Sequence, residues 1–119
     1  MITHVKFVSL PVRDQDEALA FWTEKAGLRL LTDQPMGEHR WIELGIGDSP
    51  TRLVLFPAQD NEGADTPFAA SLACDDVEAT YRQLGARGVE FTQAPKKEHW
   101  GEYAVFNDSD GNSIMLSSR

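Results

Sequence analysis

Glu43 lies inside the apolar run "RWIELGIG" (Arg40 to Gly47), two positions after Trp41. A carboxyl carried on such a strand into an apolar cavity would be desolvated. Its pKa would rise, and it would be able to act as a general acid or base. Pairing with Arg52 or Arg40, or exposure at a strand edge, would instead leave it an ordinary charged group. Histidines widen the inventory. His39 and His99 occur in look-alike segments, "GEHRW" (Gly37 to Trp41) and "KEHWG" (Lys97 to Gly101). With Glu38, Glu98 and Glu43 they have the donor types of an improvised metal site. His4 precedes the first strand and reads as an exposed terminal residue. Cys74 is the only cysteine, so no internal disulfide forms. With no basic group at a revealing spacing to activate it, it reads as a small buried hydrophobe.

The elements that must position these residues occur twice. Sliding the chain along itself by 61 positions lays Glu17 on Glu78, Ala18 on Ala79, Gly27 on Gly88, Phe7 on Phe68, Leu53 on Ile114 and Leu55 on Leu116. On that offset His39 meets Trp100 rather than His99, so the two histidines are not equivalent. Each half opens with a strand, "VKFVSLPV" or "FAASLA". A helix follows, started by an aspartate with a glutamate three positions on: Asp14 and Glu17, then Asp75 and Glu78. Apolar side chains recur at helical spacing, Ala18, Phe21 and Trp22 in one half, Val77, Tyr81 and Leu84 in the other. Trp22 thereby falls on the core face. Three strands complete each half, near "LRLLTD", "RWIELGIG" and "TRLVLF", then near "VEFTQ", "EYAVFN" and "NSIMLSS". The expected fold is α+β, two tandem βαβββ modules with curved mixed sheets. Module one spans about residues 1–57, a polar linker about 58–66, and module two about 67–119, all within one domain.

Composition bounds the partners. A formal net charge of −8 on 119 residues argues against nucleic acid and anionic lipid. No apolar run approaches the roughly 20 residues a membrane span needs. The start, "MITHVKFVSLPVRD", is interrupted too early for a signal peptide. A cytoplasmic protein is the expectation.

Three segments carry a resemblance: "VRDQDEALAFWTEKAGL" (Val12 to Leu28), "DDVEATYRQLGARGVEF" (Asp75 to Phe91) and "FNDSDGNSIMLSS" (Phe106 to Ser118). In this order, and in register with a duplication, they resemble the vicinal oxygen chelate superfamily, over essentially the whole chain. That group includes glyoxalase I, fosfomycin and bleomycin resistance proteins and extradiol dioxygenases. The resemblance implies metal ligands on the first and last strand of each module. Carried onto this chain, those positions are Phe7, Phe68, Val54 and Met115. Phenyl and isopropyl groups offer no lone pair, and a thioether suits soft copper(I) rather than nickel, iron, manganese or zinc. No metal and no cofactor are therefore expected.

Strand alternation supplies a list of cavity-facing side chains. In module one it is Phe7, Ser9, Trp41, Glu43, Arg52, Val54 and Phe56. In module two it is Phe68, Ala70, Glu102, Ala104, Phe106, Ser113, Met115 and Ser117. Trp41 and Trp100 stand near the entrance to such a cavity, each with a flat apolar face and one donor. The expected ligand-binding set is Phe7, Ser9, Trp41, Val54, Phe56, Phe68, Trp100, Glu102, Phe106 and Met115; plain packing between modules or across a dimer competes with that role. Resemblance to the bleomycin resistance proteins implies a homodimer holding a small, partly aromatic molecule, with Glu43 or Glu102 available to a cationic group. The competing expectation is a lyase, isomerase or oxygenase with an atypical site and Glu43 as its catalytic group.

Overall fold

A computed structural model of the chain describes residues 1–58 and 70–118. Phe68 lies outside the described residues. The chain divides into two compact units, Met1–Asp65 and Thr66–Arg119. Unit one runs β1 (Phe7–Val12), α1 (Gln15–Ala20), β2 (Arg29–Met36), β3 (His39–Gly45) and β4 (Arg52–Pro57), with sheet order β1-β4-β3-β2. Unit two runs β5 (Ala70–Ala73), α2 (Val77–Ala86), β6 (Phe91–Glu98), β7 (Gly101–Asn107) and β8 (Ser113–Ser117), with order β5-β8-β7-β6. In each sheet the first strand pairs parallel with the last and the other pairings are antiparallel. This is the expected α+β arrangement of two βαβββ modules.

The alternation that predicted the strands also builds the cores. Leu10, Ile42, Leu44, Leu53 and Leu55 are buried with Ala18, Phe21 and Trp22 of the first helix, and Trp22 is only 1% exposed. In unit two Ala104, Phe106, Ile114 and Leu116 are buried with Val77 and Leu84 of α2. The Asp14 carboxylate accepts the amide of Glu17 and caps α1 as expected. The second cap is Asp76 rather than Asp75: its carboxylate accepts the amide of Ala79 at 3.0 Å.

That one-residue difference runs through the duplication. Leu10 pairs beside Leu55 and Leu72 beside Leu116, so the first strands correspond at an offset of 62 and the last strands at 61. Thirteen positions separate Asp14 from Gly27, while twelve separate Asp76 from Gly88. The extra residue sits in a π-helical turn, Phe21–Lys25, that extends α1. Its mark is the exit hydrogen bond. Leu28 donates to the carbonyl of Trp22, six residues back, whereas Val89 donates to that of Leu84, five back.

The offset reverses part of the expected face assignment in unit two. Ala104 pairs with Leu116 and Phe106 with Ile114, which puts both on the core side with Glu102 between the same pleats. Ala70 pairs with Ile114 and goes with them. Tyr103, Val105 and Ser71 take their places on the side of Met115, Ser113 and Ser117. Alternation was read correctly on β8, but a constant offset of 61 carried it onto the wrong parity in β5 and β7.

Candidate functional site

The open face of the first sheet gathers most of the expected residues. Ser9, Val54 and Glu43 stand in one row across β1, β4 and β3, and Phe7, Arg52 and Gly45 in the next. Trp41 lies against two rings edge-on, Phe7 at 5.5 Å and Phe56 at 6.1 Å between centroids. These are the offset geometries in which an aromatic edge meets an aromatic face. Val54, at the centre of the group, is 0% exposed.

Glu43 is fully engaged. The indole N–H of Trp41 donates to its Oε2 at 2.7 Å, and the Arg52 guanidinium donates to its Oε1 at 2.7 Å. The Arg52 hydrogen bond first, and that of Trp41 second, hold the Glu43 carboxyl below its ordinary value, outweighing a burial that pushes upward. The rise in pKa expected for a carboxyl in an apolar cavity does not occur, because partners entered with it. Of the two expected partners Arg52 is the one present. Arg40 turns instead to Asp33, through two bonds of 3.0 Å, and to Asp16 at the start of α1.

The sign of the pH dependence follows. A carboxyl with a depressed folded pKa adds stability that is complete above its unfolded value and is lost as pH falls through the folded one. Glu43→Gln is therefore expected to lower stability by about 1 kcal/mol at pH 7, the upper range for charged hydrogen bonds being discounted for an Arg52 that is partly solvated. The gap should close on acidification below about pH 4, where glutamate ordinarily titrates. Urea unfolding of both proteins across pH measures it; a gap that widens in acid would mean a raised pKa.

Gln15 was not anticipated. Its side-chain amide donates to the carbonyls of Arg40 at 2.7 Å and Leu55 at 3.0 Å, and its Oε1 accepts the amide of Arg40 at 3.1 Å. β3 and β4 pair directly from Glu43–Val54 to Gly45–Arg52. Beyond Glu43 the glutamine amide bridges the strands and fixes β3 just where Trp41 begins. The available clue was positional: at the offset of 62, Gln15 corresponds to the buried Val77, so a polar group stands at a core position. Gln15→Leu should cost about 1–3 kcal/mol in urea unfolding by stranding those backbone groups. A loss under 0.5 kcal/mol would mean that water replaces the bridge.

Unit two presents a thinner face. Met115, half-buried, stands between Ser71 and Val105, and the hydroxyls of Ser71 and Ser117 lie 3.0 Å apart. Trp100, 48% exposed in the turn between β6 and β7, stacks on Tyr103 at 5.9 Å. Phe106 is buried against Phe91, away from Met115. Glu102, on the same side as Phe106, borders a shallow depression of about 380 Å³ with Asp76, Lys97 and Ser118. Cys74 is half-buried rather than fully buried.

The metal expectation can be tested against donor chemistry. Phe7 and Val54 bring no donor atom, and both Glu43 oxygens are committed to Trp41 and Arg52. Among the described residues no three His, Cys, Asp or Glu side chains are grouped to hold an ion. The residues at the ligand positions of unit one do not fit a metal centre.

The family model of the Glyoxalase/Bleomycin resistance protein/Dioxygenase superfamily matches residues 2–116. The chain belongs to this superfamily. This superfamily member is 37% identical over 118 residues to YetH of Bacillus subtilis (strain 168), covering 98% of each chain. Its structure is similar to that of TnmS3, an antibiotic binding protein from Streptomyces sp. CB03234. The TM-score is 0.89 at 38% identity, covering 98% of this chain and 96% of that one. UcmS2 is similar over 100% of both chains, with a TM-score of 0.88 and 33% identity.

Proposed function

We propose that this superfamily member binds a small, partly aromatic molecule without a metal and holds it as an antibiotic-binding protein does. The observation that carries the reading is the ring group of Phe7, Trp41 and Phe56, with Trp41 oriented by its hydrogen bond to Glu43. Such a surface offers flat apolar contact, and the charged pair beside it sets orientation. Similarity to an antibiotic binding protein supports the same direction. Phe7, Ser9, Val54 and Phe56 complete the binding surface of the first unit in this reading, while Trp100 and Met115 belong to the second unit's own face. A homodimer in the cytoplasm belongs to the reading too: β1 and β5 each end a sheet, and pairing of copies is the common way to cover such edges. No helix among the described residues is long and apolar enough to cross a membrane.

Catalysis by Glu43 is the weaker reading, since a carboxylate held by two donors below its usual pKa is a poor base and a poor acid. A thermal-shift screen of aromatic natural products, antibiotics and divalent metals tests the proposal. An aromatic compound should raise the melting midpoint equally with and without EDTA. Stabilisation by a metal alone would overturn it.

A further inference from the structure

The first sheet has a row of charges that the aromatic group does not use. Arg29 on β2 pairs with Gly45 on β3, and Gly45 with Arg52 on β4. Residues directly opposite on neighbouring strands point to one face, so the two arginines flank a glycine on the side that carries Glu43. Gly45 leaves room for the Arg29 side chain. A Cβ built on it would stand 3.0 Å from Nη2 of Arg29 and 3.1 Å from Cδ1 of Leu31, so the guanidinium lies over the glycine. Leu31 reaches that face through the bulge between Leu30 and Thr32.

The balance of charge there runs against the rest of the chain. Arg52 has Glu43 as its ion-pair partner and is 46% exposed. The Arg29 side chain makes no hydrogen bond or ion pair among the described residues. Lys6 is near enough to act on the Glu43 carboxyl. Arg29 and Arg52 thus share a face with one carboxylate whose two oxygens are already engaged, in a chain of net charge −8. The Arg29 guanidinium over the glycine is a positive charge left without a counter-charge, and the group that would neutralise it is an anion.

We propose that the small molecule bound on this sheet carries an anionic group, a carboxylate, sulfonate or phenolate, held by Arg29 over Gly45 beside Arg52 while its aromatic part lies against Trp41. This rests on the aromatic-ligand reading above and adds the charge class. It replaces the cationic group to which Glu43 was expected to be available, because the Glu43 carboxylate is spent on Arg52 and Trp41.

Three isosteric probes separate the two levels: 2-naphthoate, 2-naphthamide and 2-naphthylmethylammonium, titrated calorimetrically at low salt. Naphthoate should bind about tenfold tighter than the amide, as expected for one charge-assisted contact, and the ammonium compound should be weakest. Added sodium chloride should erode the preference. Arg29→Gln, whose side chain has no partner to strand, should reduce the naphthoate-to-naphthamide ratio to about two or three at an unchanged melting midpoint. Gly45→Ala should reduce it likewise by displacing the guanidinium. Equal binding of all three probes, or a ratio indifferent to Arg29→Gln, overturns the anion assignment and leaves aromatic binding standing. Failure of every probe to bind overturns the aromatic reading and the charge class with it.

Discussion

Trp41→Ala is expected to weaken binding of any stabilising aromatic compound by about 30-fold, the order found when a central tryptophan is truncated at an interface. Three losses coincide. The largest flat apolar surface of the group disappears, and with it the edge-on contacts to Phe7 and Phe56. Glu43 also loses the indole donor on its Oε2, which frees the carboxylate to swing with Arg52 and disturbs the orienting pair. Trp41→Phe keeps a ring but no donor and should fall between. Calorimetric titration with the compound that gives the largest thermal shift reads the effect, and circular dichroism checks the fold. Binding of Trp41→Ala within twofold of the parent would place the ligand elsewhere.

A larger loss, of stability, is expected at Val54. Its side chain is wholly buried in the row between Ser9 and Glu43. Val54→Glu would set a second carboxylate against Glu43 at a position with no solvent exposure, one row away from the guanidinium that Glu43 already holds. Burying an unpaired charge is among the few routes to a severe single-site loss. The expected cost is about 3 kcal/mol or more, enough to unfold a domain of ordinary stability in part. Val54→Ala, a simple truncation, should cost about 2 kcal/mol, and it separates the charge effect from lost packing. Urea unfolding at pH 7 measures both. If Val54→Glu stays within 1 kcal/mol of the parent, the site still solvates a carboxylate, and the apolar character assigned to it is wrong.

How far the sequence could be read depended on how local each cue was. Strands, helices and the Asp14 cap follow from period and neighbouring residues, and all of them appear in the fold. Trp41, Glu43, Val54 and Phe56 were placed on one face because β3 and β4 each keep strict alternation. The second module was harder, since its correspondence with the first changes by one residue at the π turn and changes again between the hairpins. Asp75 beside Asp76 concealed the change, for Asp75 has the glutamate three positions on while its neighbour Asp76 is the residue that caps the helix. Parity on β5 and β7 was lost there, taking Phe106, Ala104 and Glu102 to the wrong side. Gln15 and the row Arg29–Gly45–Arg52 depend on contacts between elements distant in the chain, which periodicity does not encode.

The widened turn at Phe21–Lys25 bears on how two copies drift apart. In a regular helix one additional residue would spin everything after it by about 100° and present a different stripe to the sheet. Here a single loop of backbone swallows the insertion, so that Gly27 still closes the helix as Gly88 does. Length can thus change inside one coil of a duplicated chain without turning the strands that follow it.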